Sequence, residues 1–276
     1  MFFKKKKKIF QVINDIALCA ISFNILEGIY EMRNIKLTIE YDGKDFNGWQ
    51  KQPNKPNIQG SIEFAIKQIT GEEVELNASG RTDAGVHSWG QVANFKTESN
   101  LPIEKFPIAI NTKLKRSIRI INAEEVDERF HSRLSCKRKT YRYVINNSEV
   151  ESAIYRNLET YIPQKLNIEK MKEAIKYFEG EHDFKAFKAS GTSSKSSVRI
   201  IYNAEVIEMP NNRIYIELTG NGFLYNMVRI IAGTLVDVGL GKIQPEEIEG
   251  IILNGKRELA GKTLQPNGLY LLKVEY

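Results

Sequence analysis

Asp83 lies between two glycines, in Gly80-Arg81-Thr82-Asp83-Ala84-Gly85, with a fixed cation two residues before it. An acid in that setting is read first as a turn cap, because Asp side chains bond nearby backbone N–H groups. The same spacing also suits a reactive carboxylate. Glycines without a Cβ let another backbone approach the loop, and a nearby guanidinium favours the ionised form as nucleophile or base. Taken alone, the spacing leaves the cap as the first reading.

A second candidate is Arg229, a lone cation in the apolar run of residues 218–241. Its neighbours Met227, Val228, Ile230 and Ile231 would bury it at least partly, and a buried guanidinium needs an acid. The plain alternative is an Arg whose stem packs while its head reaches water. Two basic stretches complete the set. Residues 131–142 hold five Lys/Arg and no acid, with Tyr141 and Tyr143 beside them; residues 184–199 hold four and no acid, with Phe184 and Phe187. Cations beside aromatic rings suit RNA backbone contact and base stacking, and a solvated strand and loop would look the same.

Other motifs fall away. Residues 254–263 imitate a phosphate loop, but five residues separate Gly255 from Gly261 where the motif needs four, and no strand precedes it. There is no Gly-x-Ser-x-Gly elbow and no His-Glu-x-x-His, which removes the commonest hydrolase and metalloprotease readings. Cys19 and Cys136 are isolated and the histidines are only His87, His131 and His182, which argues against a structural zinc site. No second acid between residues 78 and 97 accompanies Asp83, so a glycosidase carboxylate pair ranks last.

These residues must be placed by an α+β framework. Residues 35–43 alternate and end in Asp-Gly, reading as strand and turn. Helical spacing over 59–69 stops at Gly71. Strands are expected at 91–95, 118–126 and 139–145, with a helix at 103–114. A similar cycle follows: helix 168–178, strands 200–208 and 213–219 about Pro210-Asn211-Asn212, helices 223–238 and 245–253, and a closing strand 269–276. The fold class is therefore α+β, with two similar α/β halves, each a mainly antiparallel sheet with helices on one face, and an active-site cleft between them. The expected divisions are an N-terminal α+β domain carrying the Asp loop, residues 32–147, and a C-terminal α+β domain, residues 148–276.

The 276 residues carry a net charge of +6, of which +2 belongs to residues 1–31, with five lysines against three acids. The remaining +4 permits an RNA partner without requiring one. Residues 1–31 begin basic and continue apolar, as a signal peptide would, but Asn14 and Asp15 interrupt the apolar part and no A-x-A-like site follows. They are read as an extension outside the fold, either a mis-assigned start upstream of Met32 or a disordered segment. Two lone cysteines fit a reducing compartment, the cytoplasm, and no run of 18 apolar residues suggests a membrane span.

Together the segments resemble the TruA-type tRNA pseudouridine synthases. They are Tyr41-Asp42-Gly43 with Asn47-Gly48-Trp49-Gln50, then Gly80 to His87, Lys139-Thr140-Tyr141-Arg142-Tyr143, His182-Asp183-Phe184 with Phe187, Asn226-Met227-Val228-Arg229 and Gly268-Leu269-Tyr270-Leu271. They run in order from Met32 to Tyr276, and the N-terminal extension is the departure. The resemblance implies isomerisation of uridine to pseudouridine at positions 38, 39 and 40 of the tRNA anticodon stem-loop, by a homodimer, with neither cofactor nor catalytic metal. It makes Asp83 the essential acid, attacking C1′ or removing a ribose 2′ proton. Tyr141 would stack on the uracil and assist deprotonation at C5, Arg229 would pair with Asp83, and Leu269 would pack on the base. Arg81 would position the loop or fill the place of a displaced base. His87, Lys139 and Arg142, inside the matched segments, join Arg81, Tyr141 and Leu269 as candidate substrate contacts. A non-catalytic RNA-binding protein on the same scaffold is the competing reading.

Overall fold

The computed structural model describes residues 32–191 and 196–276. The expected extension over 1–31 and part of the second basic stretch lie outside the described residues.

The first half opens with strand β1 (Arg33–Tyr41), whose alternating side chains bury Ile35, Leu37 and Ile39. Helix α1 (Ile58–Thr70) starts where the Asn57 side chain accepts from the Gly60 N–H, and ends at Gly71 in the left-handed conformation. Its Ile58, Ile62, Ala65 and Ile66 form the buried stripe. Strands β2 (Asn77–Ala78) and β3 (His87–Thr97) bracket the Asp83 loop. The helix expected at 103–114 is a 3-10 turn (Ile103–Lys105) followed by α2 (Phe106–Asn111), with Pro107 near the junction. Strands β4 (Ile118–Val126) and β5 (Arg138–Asn146) follow.

Beyond the short β6 (Thr160–Tyr161), helix α3 (Ile168–Ala174) tightens into a 3-10 turn over Ile175–Phe178. Strands β7 (Gly180–Asp183), β8 (Val198–Met209) and β9 (Arg213–Gly220) precede helix α4 (Met227–Gly239). That helix begins four residues later than the sequence suggests, because Asn226 adopts φ 60° and breaks the helical path. Helix α5 (Glu247–Asn254) ends on Gly255 in the left-handed conformation, so the phosphate-loop imitation is a helix end. Strand β10 (Leu269–Glu275) closes the chain.

The ten strands among the described residues form one sheet, ordered β4-β1-β3-β10-β5-β9-β8-β7, with β2 on β3 and β6 on β5. Neighbours along that order are antiparallel except β10 and β3. The last strand therefore joins the two halves from the middle of the sheet. Its register sets Tyr270 and Leu271 beside His87 and Ser88 on one side, and Leu269 and Leu271 beside Tyr143 and Tyr141 on the other. Two hydrophobic clusters flank this join. One gathers β1, β3 and the α1 and α2 side chains around Phe95, Phe106 and Trp49. The other gathers β5, β8, β9, α3, α4 and α5 around Tyr143, Phe178 and Phe187.

Candidate active site

The Asp83 loop spans residues 79–86, between β2 and β3, and is fixed at nearly every step. The Trp49 N–H donates to the Thr82 carbonyl at 3.0 Å, and the Gly85 N–H donates to the Phe46 carbonyl at 3.3 Å. The Thr82 hydroxyl bonds the buried Tyr41 phenol at 2.8 Å, and burial pushes that phenol up to about 12. The Val86 N–H closes the turn on the Asp83 carbonyl at 3.2 Å. Gly48 explains the close approach of the Asn47-Gly48-Trp49 segment. It has φ +86°, and a Cβ there would lie 2.5 Å from the Thr82 carbonyl oxygen. Gly85, at φ +78°, likewise meets Pro266 where a Cβ would be.

Arg229, in the first turn of α4, reaches this loop from the other half of the chain. Its Nη1 lies 3.6 Å from Asp83 Oδ2. The same guanidinium donates from Nε to the Leu264 carbonyl at 2.7 Å and from Nη1 to Asn226 Oδ1 at 2.7 Å. The expected Asp–Arg pairing is present. Its electrostatic outcome differs from a simple salt bridge: burial raises the Asp83 carboxyl above its ordinary value, and Arg229 opposes that rise without cancelling it.

Tyr141 and Leu269 lie on the same face of the sheet. Tyr141 stands opposite Leu271 and Leu218, and Leu269 stands opposite Tyr143; directly opposed residues share a face. Tyr141 packs edge-on against Phe223, with ring centroids 5.0 Å apart. Its phenol is held well above the usual tyrosine value, by burial first and then by Tyr41 and Asp83, so it stays neutral.

The other candidates are placed differently. Arg81 is exposed, with no hydrogen bond or ion pair to another described residue. Lys139 shares the Tyr141 face, but its Nζ donates to the Ser79 carbonyl at 2.6 Å. His87 is buried and stacked on Tyr270 at 4.8 Å. Its Nδ1 lies 3.1 Å from both the Gly43 nitrogen and Asp42 Oδ1, and its Nε2 lies 3.1 Å from the Asn157 carbonyl. Burial lowers its pKa, so the ring is neutral, with Nε2 donating to Asn157 and Nδ1 accepting from Gly43. Arg142 faces the opposite side of the sheet from Tyr141, as strand alternation requires. There it donates to Glu217 at 2.7 Å and sits 4.4 Å from the Tyr215 ring and 5.4 Å from that of Trp89. Sequence reasoning gave no role to Gln91, or to Asn226 within its matched segment; they contact the Asp83 loop and Arg229 respectively. The available signals were a polar residue inside a buried strand and an Asn directly before a helical run.

A family model described as tRNA pseudouridine synthase matches residues 37–134 and 174–276. The chain is 52% identical over 245 residues to tRNA pseudouridine synthase A of Caldicellulosiruptor bescii. It is 53% identical to that of Caldicellulosiruptor saccharolyticus and 51% to that of Ruminiclostridium cellulolyticum. Each alignment covers 89% of this chain and 100% of the relative. Among solved structures, the archaeal box H/ACA sRNP Nop10-Cbf5 complex aligns over 73% of this chain and 44% of that chain, at TM-score 0.33 and 14% identity, too remote to carry weight.

Proposed function

This chain belongs to the tRNA pseudouridine synthase family, and on that premise we propose that it converts uridine to pseudouridine at positions 38, 39 and 40 of the tRNA anticodon stem-loop, with Asp83 as the essential carboxylate. The observation that carries the reading is the meeting of Asp83 and Arg229 from opposite halves of the chain, beside Tyr141.

The reaction breaks the C1′–N1 bond, turns the uracil and rejoins it through C5. Asp83 begins it as nucleophile at C1′ or as base at the 2′ proton, and both routes start from the ionised carboxylate. Arg229 favours that form against the opposing effect of burial. The detached uracil must be kept in place and away from water. The aromatic face of Tyr141 and the apolar Leu269 suit that task, and a phenol held neutral serves as a stacking surface better than as a base. Arg81, exposed on the same loop, suits the place of a displaced base. Extracting the target uridine costs a few kcal/mol, which phosphate contacts by basic segments would offset. None of these steps calls on a cofactor or metal. A homodimer would combine two basic surfaces around one tRNA. A cytoplasmic location accords with the tRNA substrate, and among the described residues no helix is long and apolar enough to cross a membrane.

The test is tritium release from C5-labelled tRNA, with pseudouridine mapping of the anticodon arm. Wild type should modify positions 38 to 40 and Asp83→Ala should modify none. Wild-type release by Asp83→Ala would overturn the catalytic assignment. Tight, salt-sensitive tRNA binding by the wild type without any pseudouridine would favour the non-catalytic reading.

A further inference from the structure

Two polar side chains from different strands hold the backbone that leads into Asp83. Gln91, in β3, is fully buried. Its Nε2 donates to the Gly80 carbonyl at 2.9 Å, and its Oε1 accepts from the Ser79 hydroxyl at 2.7 Å and from the Val92 N–H at 3.1 Å. Lys139, in β5, donates from Nζ to the Ser79 carbonyl at 2.6 Å. The same ammonium lies 3.0 Å from the point a Gly80 Cβ would occupy. Two consecutive carbonyls therefore bond side chains instead of a neighbouring strand.

Their position in the chain gives these bonds a purpose. The β2–β3 pairing ends at Ala78 opposite Ala93, and the Ser79 N–H makes a last sheet-like bond to the Val92 carbonyl at 2.8 Å. Beyond that point the chain leaves the sheet, and its next backbone anchor is the Thr82 carbonyl, on the Trp49 N–H. Ser79 and Gly80 are thus where the loop's departure angle is set, four and three residues before Asp83.

Lys139 is an unusual choice for a purely structural bond. No carboxylate among the described residues pairs with it; the groups acting on it are the Cys136 thiol, itself kept protonated by burial, and the cations Arg133 and Arg199. Burial and the two arginines depress its pKa, and withdrawing an unpaired ammonium from water is costly. A lysine serving only as a phosphate contact would keep its head in solvent, yet this one is turned onto the loop backbone.

We propose that Gln91 and Lys139 are positioning residues that fix the departure of the Asp83 loop from the sheet, and through it the approach of the Asp83 carboxylate to the ribose, without touching the RNA themselves. This rests on Asp83 being the reacting carboxylate. A displacement of about 1 Å at a reacting group can cost about 100-fold in rate, so the loss should appear in the chemical step rather than in binding.

The test uses the full chain and unmodified tRNA, measuring single-turnover pseudouridine formation at saturating enzyme and the tRNA Kd separately. Gln91→Met and Lys139→Met should each lower the single-turnover rate by about 10- to 100-fold while leaving the tRNA Kd within about twofold. Lys139→Arg, which retains a donor able to reach the Ser79 carbonyl, should recover part of the rate. An unchanged rate in Gln91→Met would overturn the proposal. So would Lys139→Met if it weakened tRNA binding, flattened its salt dependence by about one phosphate contact and left the rate of bound tRNA intact. Should either Met variant fail to fold, Ser79→Ala removes only the hydroxyl bonded to Gln91. It should still slow the step several-fold, and a wild-type rate there would count equally against the proposal. Asp83→Asn runs alongside: wild-type activity in that variant would sink the functional assignment, whereas an inactive Asp83→Asn beside unaffected positioning variants would sink only this inference.

Discussion

Arg229 Nη1 stands 3.6 Å from Asp83 Oδ2, while the same guanidinium makes two shorter bonds, to Asn226 and to the Leu264 carbonyl. The arginine is therefore anchored independently of the acid it faces. The geometry is that of a preplaced counter-charge, which acts on Asp83 without locking its carboxylate oxygens away from a substrate.

Removing that charge should leave burial unopposed. In Arg229→Met the acid limb of the pH–rate profile should move to higher pH, because Asp83 would ionise less readily. The single-turnover rate at neutral pH should fall by about 100-fold or more. Arg229→Lys keeps the charge but cannot reproduce the planar fork shared by Leu264 and Asn226, and should lose about 10-fold. A pH–rate series on both variants checks the order.

The same electrostatics predicts a conflict between stability and function. The folded pKa of Asp83 is raised, so its contribution to stability is fully present below the unfolded value of 3.8 and is lost as pH rises through the folded value. Near neutral pH the ionised carboxylate thus works against the fold. Asp83→Asn should melt higher than wild type at about pH 7, with the gap narrowing towards about pH 4, while being inactive. Thermal denaturation across that range decides it.

How much of this was legible in the sequence follows how local each feature is. Asp83 between glycines and Arg229 alone in an apolar run are visible within a few residues, and both lie at the site. The strand at 118–126 and the stop at Gly71 were equally local. The insertion of β10 between β3 and β5 was not, because nothing in residues 269–275 names its partners. That pairing decides which face of β5 belongs to the site. The sequence offered both Tyr141 and Arg142 as substrate contacts, although strand alternation points neighbouring side chains oppositely, and only the pairing shows that Tyr141 shares the face of Leu269 and Leu271. Lys139 shows a related difficulty: its charge suggested RNA, and only the nearby Ser79 carbonyl accounts for its inward turn. Asn226 delays the start of a helix whose pattern the apolar residues 223–225 extend backwards, through a backbone state Asn tolerates better than most residues.

Gly48 offers a test of loop support that touches no charged group. Its φ is +86°, and a Cβ would fall 2.5 Å from the Thr82 carbonyl oxygen and 3.0 Å from the Asp83 carbonyl carbon. Gly48→Ala should therefore cost on the order of 1–3 kcal/mol and displace the Thr82–Asp83 peptide. A lowered midpoint in chemical denaturation, together with a reduced single-turnover rate, is the expected pair of results. Gly71→Ala is the control. That glycine also has positive φ, but a Cβ there meets nothing within 4 Å, so stability should fall through backbone strain while the rate holds.

His87 links the loop to acid sensitivity. Its neutral ring donates from Nε2 to Asn157 and accepts at Nδ1 from the Gly43 N–H, and a Gly43 side chain would collide with the Val86 carbonyl at 1.9 Å. Burial lowers the folded pKa of His87 beneath its unfolded 6.5, with Asp42 opposing. For a histidine held neutral, the stabilising contribution is complete above 6.5 and is lost as pH falls from there through the folded value. Protonation would oblige Nδ1 to turn from the Gly43 N–H to the Asp42 carboxylate and would loosen the segment that cradles Val86. Unfolding free energy measured in urea should therefore decline below about pH 6.5, and His87→Gln, which cannot titrate, should show a shallower decline over the same range. Equal slopes in the two proteins would place the acid sensitivity elsewhere.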